Sequence, residues 1–434
     1  MNKPGMIATL LFAILSCLYS LAKEPVRTIG PTSLRPANPE TIPLPWPPNR
    51  FSADTIPSPP DLLSPDQENE KIKTSATLHG YIKNMPSLSF GNRIDSAEFL
   101  NLFHNRINFK LQFPRQLSFK MEMRNRVFAG SQVRKSPGLA TSLKQDDGFM
   151  DLAWVPASSS SMAWQTNIDR LSLNWYNEKW DLTIGRQRIN WGIHNTWNPN
   201  DLFNTFNFLD FDYEERPGSD AVRIQYSPKP MQTIEAAWKV GRNGKDHVAA
   251  MLYRFNKKGY DWQLIGARYI NDWVAGIGWA GGIRDFGFKG EASYFHPSKN
   301  FSDTAGTLSF STGLDISLDK EWYLSASYLL NSSGNNKAGF LGSGFVYSPT
   351  ARTLLPLRHS FFFQGMKAFT PILSANAGIM YAPGGANVLL FFPSLQYSLA
   401  ENWELAFFSQ HFFGDLDGYK ALGHNIYLRV KWNF

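Results

Sequence analysis

Histidine, serine and cysteine are the residues of this 434-residue chain whose types could support catalysis or metal binding. Its eight histidines form no H-x-H, H-E-x-x-H or H-x-x-x-H pair, the spacings that direct two imidazoles at one metal ion. The single cysteine is Cys17, and no G-x-S-x-G elbow or Walker loop occurs. The sequence therefore predicts no catalytic residues, no metal site and no cofactor, and we expect a protein that is not an enzyme.

A lipase-like site is the enzymatic alternative that the residue types leave open. His359-Ser360 and His411 include the types that a serine hydrolase uses. In a membrane phospholipase the serine and the histidine must meet on neighbouring strands at the lipid boundary, and spacing along the chain does not show which strands are neighbours. This alternative therefore depends on how the strands are placed.

Residues 1–22 have the pattern of a secretory signal peptide. Lys3 supplies a short positive region, Met6 to Leu18 form an apolar region too short to cross a membrane as a helix, and Ser20-Leu21-Ala22 is a small-x-small cleavage site. A lipid anchor on Cys17 is the alternative, which the flanking residues fit poorly. We expect an exported chain whose mature form lacks cysteine.

A proline-rich segment follows, from residue 23 to residue 75. Twelve of the 27 prolines fall between residues 25 and 65, and such a composition does not form a packed core. We expect a disordered periplasmic arm that acts as a solvated tether. The alternative is a docking arm for a periplasmic or outer-membrane protein partner or for peptidoglycan, with Trp46 and Phe51 as its anchors.

From about residue 76 to residue 434, apolar and polar residues alternate with a period of two. Near the end of the chain, Leu428, Val430 and Trp432 alternate with the cations Arg429 and Lys431. A cation facing lipid costs about 2–4 kcal/mol at mid-bilayer, so the cationic face must line the lumen and the apolar face must meet lipid. About 18 such segments (16 to 20) predict an all-β, transmembrane antiparallel β-barrel in contact with outer-membrane lipid.

The connections between these segments should alternate between short periplasmic turns and long extracellular loops. Short connections are expected at residues 113–115, 177–179 and 319–321, and long ones at residues 129–161 and 331–356. The final strand, which carries Trp432 and ends in Phe434, resembles the C-terminal assembly signal of outer-membrane barrels. The resemblance implies location in a Gram-negative outer membrane and recognition by the barrel-assembly machinery during biogenesis.

Residues 189 to 217 form the third long connection, which is too aromatic for a solvated loop. So much aromatic area should pack on the inner wall of the barrel, with Trp191 and Trp197 as packing anchors. Its acidic residues should pair with cations of the lumen and narrow the pore as a constriction loop; plugging of the barrel is the alternative. The acidic residues of this loop are Asp201, Asp210, Asp212, Glu214 and Glu215, of which the three aspartates are the predicted constriction residues, and the predicted lumen cations are Arg106, Arg124, Arg126 and Arg170.

Four short motifs around this connection resemble a known pattern. They are Gly185-Arg186-Gln187, Asn190-Trp191-Gly192, Asn198-Pro199 and Arg216-Pro217-Gly218. Together they resemble the GRQ…NWG…NP…PG pattern of an uncharacterised porin-like family of Gram-negative outer-membrane proteins. That family is distantly similar to alginate-export and phosphate-selective barrels, and the resemblance implies passive transport.

The formal net charge of +7 would favour anions in the lumen rather than nucleic acid, because an exported barrel does not meet nucleic acid. We therefore expect a porin-like channel for the passive diffusion of small polar or anionic solutes. The alternative is a plugged structural barrel, an accessory subunit of an outer-membrane protein assembly that docks a partner through the proline-rich arm.

Overall fold

The computed structural model describes residues 74–205, 217–242, 246–299, 301–334, 349–415 and 418–434. The predicted signal peptide lies outside these ranges, and so does the predicted arm apart from residues 74 and 75. Two residues of the predicted constriction loop, Asp210 and Asp212, also lie outside the described residues.

The described residues form strands almost throughout, because the period-two pattern gives each strand one apolar and one polar face. The strands are β1 (Ser75–Phe90), β2 (Glu98–Phe113), β3 (Leu117–Ala129), β4 (Ala153–Ser158), β5 (Met162–Tyr176), β6 (Trp180–Gln187), β7 (Ser219–Lys229), β8 (Gln232–Lys239), β9 (Val248–Lys257), β10 (Tyr260–Tyr269), β11 (Asp272–Ile283), β12 (Phe286–Pro297), β13 (Thr307–Leu318), β14 (Trp322–Asn331), β15 (His359–Thr370), β16 (Leu373–Ala382), β17 (Val388–Ala400), β18 (Trp403–Asp415) and β19 (Tyr419–Asn433).

Two short α-helices, α1 (Ser131–Arg134) and α2 (Leu139–Leu143), lie in the connection between β3 and β4. Within the described ranges, no helix has the length and apolar character needed to span a membrane.

The strands pair antiparallel in chain order, and β1 pairs with β19, so the sheet closes on itself. Gly80 and Phe434 mark this closure, because each donates its backbone N–H to the carbonyl oxygen of the other at 2.9 Å. The result is a closed antiparallel barrel whose wall has 18 strands. The predicted fold class is confirmed.

The described sheet has one strand more than the 18 of the wall. This additional strand, β4, is short and does not span the wall. One edge of β5 is occupied by β3 over its whole length. Its other edge is shared, because β6 pairs with residues 171–176 and β4 pairs with residues 163–167. The wall above the end of β6 is therefore completed by a strand from the β3–β5 connection.

The two faces of the wall differ as the alternation predicts. On β19, Leu428 and Trp432 are exposed, whereas Arg429 faces the interior and pairs with Glu404 of β18. The same holds around the barrel: outward-facing Leu, Ile, Phe, Trp and Tyr side chains are 37–65% exposed on almost every strand. Such a continuous apolar surface on a barrel is suited to lipid.

The two ends of the barrel differ in their connections. At one end, called the turn end, each connection has two or three residues, and the pairs Arg115-Gln116 and Lys320-Glu321 have φ near +60°, as tight hairpin turns require. At the other end, called the loop end, most connections are longer, as predicted. The exceptions are the connection from β10 to β11, which has two residues, and those from β4 to β5 and from β18 to β19, which have three residues each.

Candidate functional site

Residues 188–205, called the inward segment, leave the wall after β6 and fold into the barrel. Trp191 has no exposed surface and packs edge-on against Phe203, with the ring centroids 5.0 Å apart. Both rings belong to an apolar cluster with inward-facing residues of β8 to β12, including Leu252 and Phe295. Trp191 and Phe203 thus remove their surface from water by packing on the inner wall.

One carboxylate fixes the centre of the inward segment. Glu291 of β12, which is fully buried, accepts hydrogen bonds from the backbone N–H groups of Ile193, His194 and Asn200. The last two bonds measure 2.7 and 2.9 Å. A loop of irregular backbone inside a barrel needs such acceptors, because its N–H groups have no ladder partner.

Asn200 extends this anchor to the neighbouring strands. Its side-chain amide donates to the carbonyl oxygen of Ile277 at 3.0 Å, and its Oδ1 accepts from the hydroxyl of Ser293 at 2.7 Å. The next residue, Asp201, closes a tight turn by donating its backbone N–H to the carbonyl oxygen of Asn198 at 3.1 Å. The Asn-Pro-Asn-Asp sequence therefore forms a turn, and only 1% of the surface of Asp201 is exposed.

The two predicted anchors lie far apart along the wall. Trp191 donates its indole N–H to Glu235 of β8 at 2.7 Å. Trp197 packs edge-on against Phe362 of β15, with 6.2 Å between ring centroids, and its carbonyl oxygen accepts from Ser311 at 2.8 Å. Together they stretch the inward segment along the inner faces of β8 to β15.

His194 lies between these anchors and is buried. Burial, reinforced by the charge of Lys289, lowers the pKa of His194 to about 3. Its Nδ1 accepts the backbone N–H groups of Thr196 and Trp197 at 3.2 and 3.3 Å. The imidazole is therefore neutral at physiological pH and acts as a structural acceptor.

The inward segment begins from a clamp around Arg186. Its guanidinium binds two carboxylates, with Nε to Asp220 Oδ1 and Nη1 to Asp146 Oδ2 both at 2.7 Å. Burial alone would raise the pKa of Asp146, but the hydrogen bonds from Arg186 and from the backbone N–H groups of Gly148 and Leu152 lower it below its usual value. Arg186 thus ties the β3–β4 connection to β7.

Glycines of the motifs sit where a side chain would collide. Gly185 has φ of +115°, and an added Cβ would overlap the carbonyl oxygen of Leu171. An added Cβ at Gly192 would overlap the side chain of Asn198. The Asn-Trp-Gly and Asn-Pro motifs are therefore packed against each other in the inward segment, whereas Gly185 of the Gly-Arg-Gln motif packs against β5.

A second segment, residues 349–358, also folds into the loop end and is called the rim segment. Its apolar residues Ala351, Leu354, Leu355 and Leu357 are buried. The carbonyl oxygen of Leu355 accepts from the side chain of Asn331 at 2.9 Å.

Two further contacts join the rim segment to its surroundings. Arg352 pairs with Asp272 at 3.2 Å. Leu354, Leu355 and Leu357 share an apolar cluster with Trp197 and Phe362, which joins the two segments. This segment was not predicted, although the run Leu354-Leu355-Pro356-Leu357 inside a long connection is a signal for it.

Cations cover the opposite inner wall, on β1, β2, β3, β5 and β19; this region is called the basic wall. Asp169 lies at its centre, with Arg106 at 2.7 Å and Arg124 at 3.4 Å. Arg106 also pairs with Glu122, and the Arg170 guanidinium donates to the carbonyl oxygen of Asp169 at 2.8 Å. The fourth predicted cation, Arg126, donates to the side-chain oxygen of Gln165 at 3.0 Å.

Two lysines extend the basic wall beyond the predicted cations. Lys83 of β1 and Lys431 of β19 lie 5.5 and 4.7 Å from the ring centroid of Tyr81. They are paired residues of the strands that close the barrel. Lys431 belongs to the alternating pattern that sequence analysis identified. Lys83 was missed, because Tyr81 and Met85 share its face of β1 and interrupt the polar pattern there.

No family model matches this sequence, and a search of curated proteins finds no match. The barrel shares its fold with solved outer-membrane proteins. The outer membrane protein OprD from Pseudomonas aeruginosa has a TM-score of 0.54 at 8% identity, over 85% of this chain and 95% of that chain.

Two further structures have similar scores. Pseudomonas aeruginosa OccK5 (OpdH) has a TM-score of 0.53 at 10% identity, over 83% of this chain and 98% of that chain. Acinetobacter baumannii OccAB3 has a TM-score of 0.52 at 11% identity, over 83% of this chain and 99% of that chain. At these identities the likeness to OprD and the two other proteins shows a shared barrel fold and nothing finer. The finer resemblance, to the porin-like family with the GRQ…NWG…NP…PG pattern, stays a prediction.

The predicted site residues fall into two groups within this OprD-like barrel. Trp191, Trp197 and Asp201 lie in the inward segment. Three of the predicted cations, Arg106, Arg124 and Arg170, meet around Asp169, which sequence analysis missed together with Glu122, Glu235 and Glu291. Single acidic residues on the polar face of a strand carry no pattern, so nothing in the sequence distinguishes these four.

Proposed function

We propose that this protein is an outer-membrane channel that passes small polar solutes and prefers anions. The observation that carries the proposal is that one side of the barrel interior is covered by the inward segment, whereas the other side is lined by cations. The inward segment packs on β8 to β15, whereas the basic wall lies on β1, β2, β3, β5 and β19. The proposed route for a solute runs between the inward segment and the basic wall.

Electrostatics gives the preference for anions. Six cations line the basic wall, and the acidic residues Glu122 and Asp169 lie among them. The six cations are Lys83, Arg106, Arg124, Arg126, Arg170 and Lys431. A lumen with an excess of one charge sign raises the local concentration of the opposite ion. The apolar outer belt and the OprD-like fold support placement in an outer membrane, with the turn end toward the periplasm.

A closed structural barrel is the second candidate, and complete burial favours it. Lys83 and Trp191, on opposite inner walls, both have no exposed surface. The interior is thus filled at these positions, and a solute would pass only after a displacement of the inward or rim segment. In this case the protein would serve an outer-membrane assembly, with a partner bound through residues 25–65.

Conductance across a planar lipid bilayer tests the proposal. Three proteins are compared: the wild type, Arg126→Gln, and a variant in which residues 193–201 are replaced by a Gly-Ser linker. We expect discrete channel events from the wild type. In a potassium chloride gradient, the sign of the reversal potential should show that chloride is more permeant than potassium. Arg126→Gln should have a smaller preference for chloride. Lys179→Gln, at an exposed turn residue, is the matched control and should leave the preference unchanged.

The linker variant separates the two candidates. A larger conductance than wild type supports a segment that narrows an open channel. Conductance by the linker variant alone would identify a closed barrel, and absence of events from both would overturn the channel proposal. For the closed barrel, deletion of residues 25–65 should abolish co-purification of a stable partner.

A further inference from the structure

Three polar side chains form a hydrogen-bonded chain on the outer face of β18 and β19. The hydroxyl of Ser409 lies 3.1 Å from Nε2 of His411, and Nδ1 of His411 lies 2.9 Å from Nδ1 of His424. Ser409 and His411 are two residues apart on one strand, so they share a face. His424 is the cross-strand partner of His411.

This face is directed at lipid. Phe407 and Leu428, which share it, are 42% and 45% exposed, whereas the intervening Phe408 and Gln410 are buried inside the barrel. The imidazole rings are held in place by aromatic neighbours, with Phe391 stacked on His411 at 6.0 Å and Phe90 against His424 at 5.2 Å between centroids. The three polar groups are thus fixed within an otherwise apolar surface.

We propose that Ser409, His411 and His424 form a hydrolytic site for the acyl ester of a membrane lipid. A serine nucleophile needs a base within hydrogen-bond reach and a third group that orients the base. When Nε2 of His411 accepts the Ser409 proton, its Nδ1–H donates to Nδ1 of His424. His424 therefore selects the tautomer in which His411 acts as a base.

The height of the site in the barrel agrees with an ester substrate. Trp403 lies at the turn end of β18, in the aromatic border formed with Trp432. The eight residue-to-residue steps from Trp403 to His411 span about 26 Å of strand. At the usual strand tilt of about 40°, this is about 20 Å along the membrane normal, close to the far border of an apolar belt about 25 Å tall. Ester carbonyls of lipids lie at such a border.

The reaction would proceed in two balanced steps. Ser409 Oγ attacks the acyl carbonyl carbon while its proton moves to Nε2 of His411; the ester C–O bond then breaks, and the leaving alkoxide takes that proton. A water molecule next attacks the acyl-serine and gives a proton to His411, which returns it to Oγ. The net change is ester plus water to fatty acid plus alcohol. His424 is a positioning residue, because it acts only through His411.

Labelling with a fluorophosphonate probe tests the site directly. Only 5% of the surface of Ser409 is exposed, so the probe should carry a short alkyl chain. We expect purified full-length protein in detergent micelles to be labelled at Ser409, as located by mass spectrometry, and Ser409→Ala to lose the label. Absence of label from Ser409 in the wild type would overturn the proposal, whatever the variants do.

Hydrolysis of dioctanoyl phosphatidylethanolamine in micelles gives the second measurement. We expect His411→Asn to lower the rate by about 100-fold or more. His424→Ala should lower it by about 10-fold or more, and His424→Asn, whose amide oxygen accepts from Nδ1–H, should restore much of it and shift the pH profile. Equal rates for the wild type and Ser409→Ala would contradict the assignment.

The chain offers a matched control in His359. This histidine also faces lipid, but its Nδ1 is bonded to the hydroxyl of Tyr328 at 2.9 Å. Its neighbour in sequence, Ser360, faces the interior and is fully buried. His359→Asn should leave labelling and hydrolysis unchanged, and a loss equal to that of His411→Asn would count against a site at Ser409.

Discussion

Glu291 Oε1 accepts the backbone N–H of His194 at 2.7 Å, in the middle of the barrel. The carboxylate belongs to β12, and the N–H belongs to a segment that leaves the wall between β6 and β7. Since Ile193 and Asn200 donate to the same carboxylate, one side chain satisfies three backbone donors that have no strand partner. The position of the inward segment therefore depends on the carboxyl oxygens of Glu291.

Glu291→Gln should loosen the inward segment. The new amide presents a donor to backbone N–H groups, which leaves at least one buried donor unsatisfied and lowers the free energy of unfolding by about 1–3 kcal/mol. Urea unfolding in micelles and the rate of chymotrypsin cleavage after Trp197 measure the effect. Glu178→Gln, at an exposed turn, should change neither quantity; equal stability of the two variants would argue against the anchor.

Gly185→Ala should destabilise the barrel severely. The positive φ and the overlap of the added Cβ with the carbonyl oxygen of Leu171 act together, and we expect a loss of about 2–4 kcal/mol or failure to fold. Gly266→Ala is the control, because an added Cβ at this strand glycine meets no atom within 4 Å. The measurement is the heat-dependent shift of the folded band on electrophoresis, and similar behaviour of both variants would refute the steric explanation.

The clamp between Arg186 and Asp146 should fail in acid. Because folding lowers the pKa of Asp146, its stabilising effect is present above the usual value of 3.8 and disappears as the pH falls through the lower folded value. At pH 7, Asp146→Asn should cost about 2 kcal/mol. The difference between wild type and variant should shrink below pH 3.8, as measured by urea unfolding.

Asp151→Asn is the control for this pH dependence. Asp151 lies in the same connection, but its pair with Arg242 is exposed, with 3.3 Å between the charged atoms. Exposed ion pairs contribute little, so this variant should differ from wild type by less than about 1 kcal/mol at every pH. A gap for Asp146→Asn that stays constant between pH 7 and pH 2.5 would exclude a role for its ionisation.

Phe434 should have two separable roles. Deletion of Phe434 removes both backbone hydrogen bonds to Gly80 and should impair refolding into micelles, where no assembly machinery is present. Phe434→Ala keeps these bonds and should refold in micelles, but if the C-terminal assembly signal operates it should accumulate poorly in the outer membrane of cells. Normal accumulation of Phe434→Ala in cells would exclude that signal.

Much of the wall follows from the alternation of residue types. Arg429 and Lys431 cannot face lipid without a large cost, so β19 has one permitted register, and the same argument repeats from strand to strand. The inward turn of residues 188–205 follows from the number of aromatic residues in one connection. Hydrophobic burial thus predicts both the wall and the existence of an inward segment.

The sequence contains less information about long-range polar contacts. Glu291 and Asp169 each gather groups that are far apart in the chain, and neither stands in a motif. The chain of Ser409, His411 and His424 depends on the register of β18 against β19. The sequence motif that does stand out, His359-Ser360, places its two side chains on opposite faces of the wall because they are adjacent in a strand.

The strand β4 makes the β3–β5 connection and the β6–β7 connection structurally dependent on each other. It is supplied by the β3–β5 connection, yet the gap that it fills exists because β6 ends early, where the inward segment begins. A shortening of one connection would leave open backbone edges unless the other changed in the same step. The β3–β5 and β6–β7 connections should therefore change together in evolution. A transfer of one of them into another barrel should succeed only if the other is transferred with it.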